Sequence, residues 1–169
     1  YIAVVNREQN HMWLNQYDAA TGTFIKTLFE ETDTKYVEPL EPMLFVKNKP
    51  DQFIWQSQRD GYNHLYLYNT DGKLIRQLTK GEFIVTEFKG FDKKSERAYY
   101  MCTALSPIDR DLYYVTLADG RMKRVSGDSG MHTCYYNPEN NEVLDVFSNV
   151  NTPRKIKLIL PNGSDARTM

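Results

Sequence analysis

The segment Gly127-Asp128-Ser129-Gly130 is where residue types and spacing first invite a catalytic reading, because the same four residues frame the nucleophile of trypsin-like peptidases. A nucleophilic serine needs a base and a group that orients the base, so a triad is defined by geometry and not by a tetrapeptide. Met131 follows where that signature carries another glycine, and no histidine sits in an Ala-Ala-His-Cys setting. The four residues therefore read as a tight turn. No Gly-x-Ser-x-Gly elbow occurs. No His-x-x-x-His or Cys-x-x-Cys pair offers the spacing zinc requires. Glu38 and Glu41 flank a proline-containing loop, but a glycosidase pair must straddle a bond at about 5–10 Å, and these read as solvated loop acids. His11, His64 and His132 fall at strand beginnings, His11 and His64 at equivalent positions of a repeat, which points to architecture. Trp13 and Trp55 read as core residues. Cys102 and Cys134 lack metal spacing and read as buried thiols, with a disulfide between neighbouring repeats left open. The sequence thus predicts no catalytic residue, cofactor site or metal site.

The elements that carry these residues repeat. One pass runs Phe53 to Ser57, a turn at Arg59-Asp60-Gly61, His64 to Asn69, then Asp71-Gly72 and Lys73 to Thr79. The next has Arg97 to Met101, Asp111 to Val115, Asp119-Gly120 and Arg121 to Val125. Earlier and later passes are Tyr1–Val5, Met12–Leu14 and Phe24–Leu28, and Val143–Phe147 with Lys155–Ile159 and Asn162-Gly163. Asp-Gly and Asn-Gly pairs supply the positive φ angles that two-residue hairpins demand; Asn162-Gly163-Ser164 also spells a glycan acceptor but reads as a turn. A repeat of roughly 45–50 residues built from strands and turns is the mark of β-propeller blades. The fold class is therefore all-β, a partial propeller of about four blades of antiparallel strands. The blades span 1–31 (lacking an inner strand), 42–81, 84–127 and 131–160 (lacking an outer strand). The connection Glu30–Pro42 is the longest, with an acidic start and two prolines, and long loops on rigid scaffolds often carry function.

Composition narrows the partners. A net charge of −1 leaves no basic field for nucleic acid. The densest basic cluster, Arg121 to Arg124, reads as the solvated face of an outer strand. Twelve tyrosines in 169 residues suit half-buried pleated surfaces. No apolar run reaches the roughly 20 residues of a membrane-spanning helix. The chain opens on strand residues without a leader and stops just after a turn, so both ends read as truncated. Open sheet edges at such ends predict self-association or marginal stability of the isolated chain.

The run Phe53 to Tyr68, with Gln77-Leu78-Thr79-Lys80-Gly81 and Val85-Thr86, closely resembles the propeller of the dipeptidyl peptidase IV group, in the prolyl oligopeptidase family of serine peptidases. Ser106-Pro107 and Phe147 to Pro153 look like the bacterial form of that family. The resemblance implies the second half of an eight-bladed propeller that precedes an α/β-hydrolase domain, with the Ser, Asp and His of the triad downstream. The family's paired glutamates come from an earlier blade, and Glu30-Glu31 does not match them. The loop holding Tyr36, Val37 and Glu38 falls where some members extend a loop toward the substrate cavity. The implied role is non-catalytic: walling and gating a cavity in which the parent removes N-terminal peptides with a penultimate proline, through an acyl-enzyme. The implied partners are the hydrolase domain and a peptide substrate, and the implied setting is extracytoplasmic. The alternative is a stand-alone protein-binding propeller without peptidase activity.

Overall fold

Among the described residues the chain forms fifteen strands and no helix, most strands rich in apolar or aromatic residues and several joined by glycine-containing turns. The computed structural model describes residues 1–168. No helix in it is long and apolar enough to cross a membrane. The first sheet orders β1 (Ile2–Val5), β2 (His11–Tyr17) and β3 (Phe24–Thr32). The second orders β4 (Leu44–Val46), β5 (Lys49–Ser57), β6 (His64–Asn69) and β7 (Leu74–Gln77). The third contains β8 (Val85–Phe91), β9 (Arg97–Cys102), β10 (Asp111–Thr116) and β11 (Met122–Arg124). The fourth contains β12 (Met131–Asn137), β13 (Glu142–Asn149), β14 (Thr152–Ile159) and β15 (Asp165–Thr168). Each sheet is an antiparallel meander of sequential neighbours, the pattern of a propeller blade. The all-β partial propeller is the fold.

Two sequence readings are corrected. The fourth blade does have an outer strand, since β15 pairs with β14. Asp165-Ala166-Arg167-Thr168 has no alternating apolar pattern to announce it, and the Asn162-Gly163 turn alone returns the chain. In addition, β3 runs through Thr32, so Glu30 and Glu31 belong to a strand and the connection begins at residue 33.

The chain divides into two compact units, 1–77 and 78 onward. In the first, Met12, Leu14 and Leu28 of the first sheet pack on Phe53, Trp55, Tyr66 and Tyr68 of the second. In the second unit, Tyr99, Met101, Leu112 and Val125 pack on Cys134, Val143 and Ile159. Both cysteines are buried free thiols, and burial pushes the Cys102 thiol up to about 12. Each unit closes its sheet-to-sheet seam with a glycine. Gly72, at φ 89°, lies so near β3 that a Cβ would stand 2.0 Å from the Leu28 carbonyl oxygen. Gly163 repeats the contact against Val125, at 3.1 Å.

β1 is the edge of its sheet, and Ile2 and Val4 are exposed on it. An apolar strand edge recruits another strand. In sedimentation, the 169-residue chain alone is expected to associate, and Val4→Lys to shift it toward monomer; a monodisperse wild-type monomer would refute this.

Candidate functional site

The crossover from β3 to β4 holds Tyr36, Val37 and Glu38, and its path is set by backbone hydrogen bonds to the β1–β2 turn. The Asp33 N–H donates to the Asn10 carbonyl at 3.0 Å, and the Val37 N–H to the Gln9 carbonyl at 2.6 Å. The Asp33 side chain accepts from the Lys35 N–H at 2.7 Å. Val37 packs against the first unit's core, whereas Tyr36 is 54% exposed and Glu38 is exposed. Val37 is thus the loop's anchor, and the Tyr36 and Glu38 side chains are exposed. One cavity of about 220 Å³ opens beside them against Val5 and Gln9. A larger one, about 450 Å³, is lined by Tyr1, Leu14, Leu40, Met43, Phe45 and Trp55.

Beneath the loop lies a side-chain network that sequence reasoning passed over. Glu31 accepts from Trp55 Nε1 at 3.0 Å and from Ser57 Oγ at 2.9 Å, and pairs with Arg59. Arg59 also donates through Nε to Ser57 Oγ at 3.0 Å and through Nη1 to the Tyr68 hydroxyl at 2.6 Å. Its guanidinium carbon stands 4.3 Å from the Tyr66 ring centroid, a cation–π contact. Burial opposes the Arg59 charge, but Glu31 and Tyr68 outweigh it and hold the pKa above its ordinary value. The one available signal was the alternation of β3, which turns Glu31 to the same side as the buried Leu28 only after the register shifts between Leu14 and Asn15. Of the other polar candidates, His11 bonds Glu30 at 2.7 Å and stacks on the half-buried Trp13 at 3.7 Å. Trp55 is buried.

The second unit holds a buried ionic network around the Gly127–Gly130 segment. Asp111 Oδ1 accepts from Arg124 Nε (3.0 Å) and from a second guanidinium nitrogen (2.7 Å), and from Ser126 Oγ (2.8 Å). The cluster read as solvated therefore sends Arg124 inward, since a fully buried carboxylate requires a cation. The Asp128 carbonyl accepts from Arg124 and from His132 Nε2, each at 2.8 Å. His132 Nδ1 lies 2.9 Å from both oxygens of the buried Asp145, and Cys134 Sγ donates to Asp145 at 3.5 Å. Ser129 is thus part of a turn strapped down by Arg124 and His132. His132, Cys134 and Asp145 are close enough to chelate a metal. Burial first, then Asp145, raise the Cys134 pKa and favour the thiol.

Four antiparallel meanders without helices, paired sheet against sheet through aromatic cores, define a segment of a β-propeller. Residues 1–154 match the dipeptidyl peptidase IV N-terminal region, and the chain belongs to that family. It is 30% identical over 141 residues to the "Probable dipeptidyl-aminopeptidase B" of Arthroderma otae, covering 77% of this chain and 15% of that one. It superposes with TM-score 0.88 and 32% identity on a Bacteroides ovatus protein described as a dipeptidyl aminopeptidase IV, covering 99% of this chain and 26% of that one. Porphyromonas gingivalis dipeptidyl peptidase 4 shares the fold at TM-score 0.83 and 23% identity, with 99% and 24% covered. The chain therefore spans about a quarter or less of the length of these relatives.

Proposed function

We propose that this chain is the non-catalytic propeller segment of an extracytoplasmic serine exopeptidase. It walls and gates a cavity in which the parent's α/β-hydrolase domain releases N-terminal peptides with a penultimate proline. The observation that carries the reading is the match of residues 1–154 to the dipeptidyl peptidase IV N-terminal region. The loops add support through an end-to-end asymmetry within each unit. Among turn and crossover residues, exposed large apolar side chains lie between second and third blade strands and in the crossovers, Tyr36, Leu40 and Tyr62 in the first unit and Ile84, Leu105, Ile108 and Val150 in the second, although the Asn6–Asn10 turn is polar. The opposite turns, such as Thr70–Lys73, Asp92–Glu96 and Pro138–Asn141, expose polar residues, Leu160 being the exception. An apolar end rimmed by polar surface is where a second domain docks. The Tyr36–Glu38 loop lies at that end, so its exposed side chains would face a substrate held between the domains. Walls that exclude bulky chains and water let a buried site act on short peptides.

The test is hydrolysis of an X-Pro chromogenic dipeptide by the full-length parent. Activity is expected, and Tyr36→Ala is expected to raise KM about 5-fold, equivalent to about 1 kcal/mol of contact. A folded parent with no such activity would overturn the peptidase reading and favour a protein-binding propeller.

A further inference from the structure

We propose that Arg59 and Glu31 form a positioning pair that sets the Tyr36–Glu38 loop, so that substrate affinity in the parent depends on an ion pair in contact with no substrate atom. The positioning claim stands on geometry, and its consequence for affinity rests on the peptidase reading above.

Glu31 is the last inward-facing residue of β3, and the loop begins two positions on, after Thr32. Arg59 sits on the turn between β5 and β6, in the neighbouring sheet of the same unit. That turn is itself braced. The Gly61 N–H donates to the Gln58 carbonyl at 2.9 Å with φ 95°, and Gln77 Nε2 donates to Asp60 at 2.6 Å. Arg59 is therefore a fork mounted on a rigid turn, with its nitrogens directed to Ser57, Tyr68 and Glu31 and one face covered by Tyr66. A small cavity lies between the fork and the loop, lined by Glu31, Asp33, Tyr36, Val37, Glu38 and Arg59. The loop thus faces this pair across that cavity on one side and is hydrogen-bonded to Gln9 and Asn10 on the other.

Three supports of different kinds give the pair a function that packing alone would not need. An apolar pair of equal volume would bury the same area, but it would satisfy neither Trp55 Nε1 nor Ser57 Oγ and would not fix an angle. A planar guanidinium in a fork geometry fixes one, and lysine does not. Binding constellations held loosely lose affinity although their residues are present.

The experiment uses the full-length parent carrying Arg59→Lys or Glu31→Gln. The latter keeps an acceptor oxygen for Trp55 Nε1 while removing the charge and turning an NH2 toward Ser57 Oγ. Amide exchange is followed by mass spectrometry on peptides covering 32–40, and kinetics on an X-Pro dipeptide chromogen. Both variants are expected to exchange at least about 10-fold faster across 32–40, with β2, β5 and β6 unchanged. KM should rise about 10-fold with kcat within about 2-fold. Val143→Ala, in the second unit, serves as a control and should leave exchange at 32–40 as in wild type. Exchange that is unchanged in both variants, or that rises equally through the whole first unit, overturns the proposal and leaves a merely structural pair. A loosened loop with unaltered KM overturns the link to affinity. A wild-type parent without X-Pro hydrolysis sinks the peptidase reading instead, and the exchange data then still decide the positioning role.

Discussion

Gly72→Ala is expected to destabilise the first unit by about 2–4 kcal/mol, the sum of a strained left-handed alanine and an overpacked seam. Gly72 has φ 89°, where a Cβ is disfavoured in any surroundings. Here the Cβ would also stand 2.0 Å from the Leu28 carbonyl oxygen and 2.8 Å from its Cα. These are backbone atoms of a paired strand, so relief requires the Asp71-Gly72 turn to lift off β3, breaking the Lys26–Asp71 contact at 3.2 Å. Gly163→Ala is the internal comparison, with φ 88° but a nearest neighbour at 3.1 Å. It should cost about half as much. Amide exchange in the parent would show β3 and β7 losing protection in Gly72→Ala; equal, small losses in both variants would refute the close-approach argument.

The second large effect is a pH dependence in the fourth sheet. His132 is buried with both ring nitrogens facing acceptors, Asp145 on β13 and the Asp128 carbonyl, an arrangement fully satisfied when each nitrogen carries a hydrogen and the ring is a cation. Phe147 stacks on it at 4.7 Å. The surrounding charges are Asp145, Asp111 with its partner Arg124, and Lys157, paired in register with Asp145. The buried carboxylates Asp111 and Asp145 are balanced by Arg124 and His132 only while the imidazole is protonated. Burial works against that charge, but the bonds to Asp145 and to the Asp128 carbonyl outweigh it, and the His132 pKa is raised. A raised pKa stabilises the fold fully below the unfolded value of about 6.5, and that contribution disappears as pH climbs through the folded value. Protection of β12 and β13, corrected for intrinsic exchange, is therefore expected to fall above neutral pH. Asp145→Asn should cost about 3 kcal/mol below the unfolded value, where it strands a buried cation, and about 1 kcal/mol once the ring has lost its proton, where only a hydrogen bond is lost. A cost independent of pH would show that the ring is neutral.

Much of the fold was legible because it is local. Alternation places Met12 and Leu14 inward on β2. The Asp71-Gly72 pair demands a hairpin wherever it falls, and the recurrence of that unit defined the blades. The run from Phe53 to Tyr68 was enough to indicate the family, because strand, turn and strand are all written in neighbouring residues. β15 was missed because Asp165-Ala166-Arg167-Thr168 carries no apolar period to detect.

The sequence by itself therefore determined strand identity, turn chemistry and lineage, each set by backbone φ preferences and a period of two. Only the tertiary structure decided which charges are buried and with whom. Glu31 meets Arg59 across 28 residues of chain, and Arg124 and His132 meet on one carbonyl. It also decided that Gly72 is required by a neighbouring strand as well as by its own turn. Such pairings arise from how one sheet lies on the next, and the energy of a charge depends on a burial that sequence spacing does not encode.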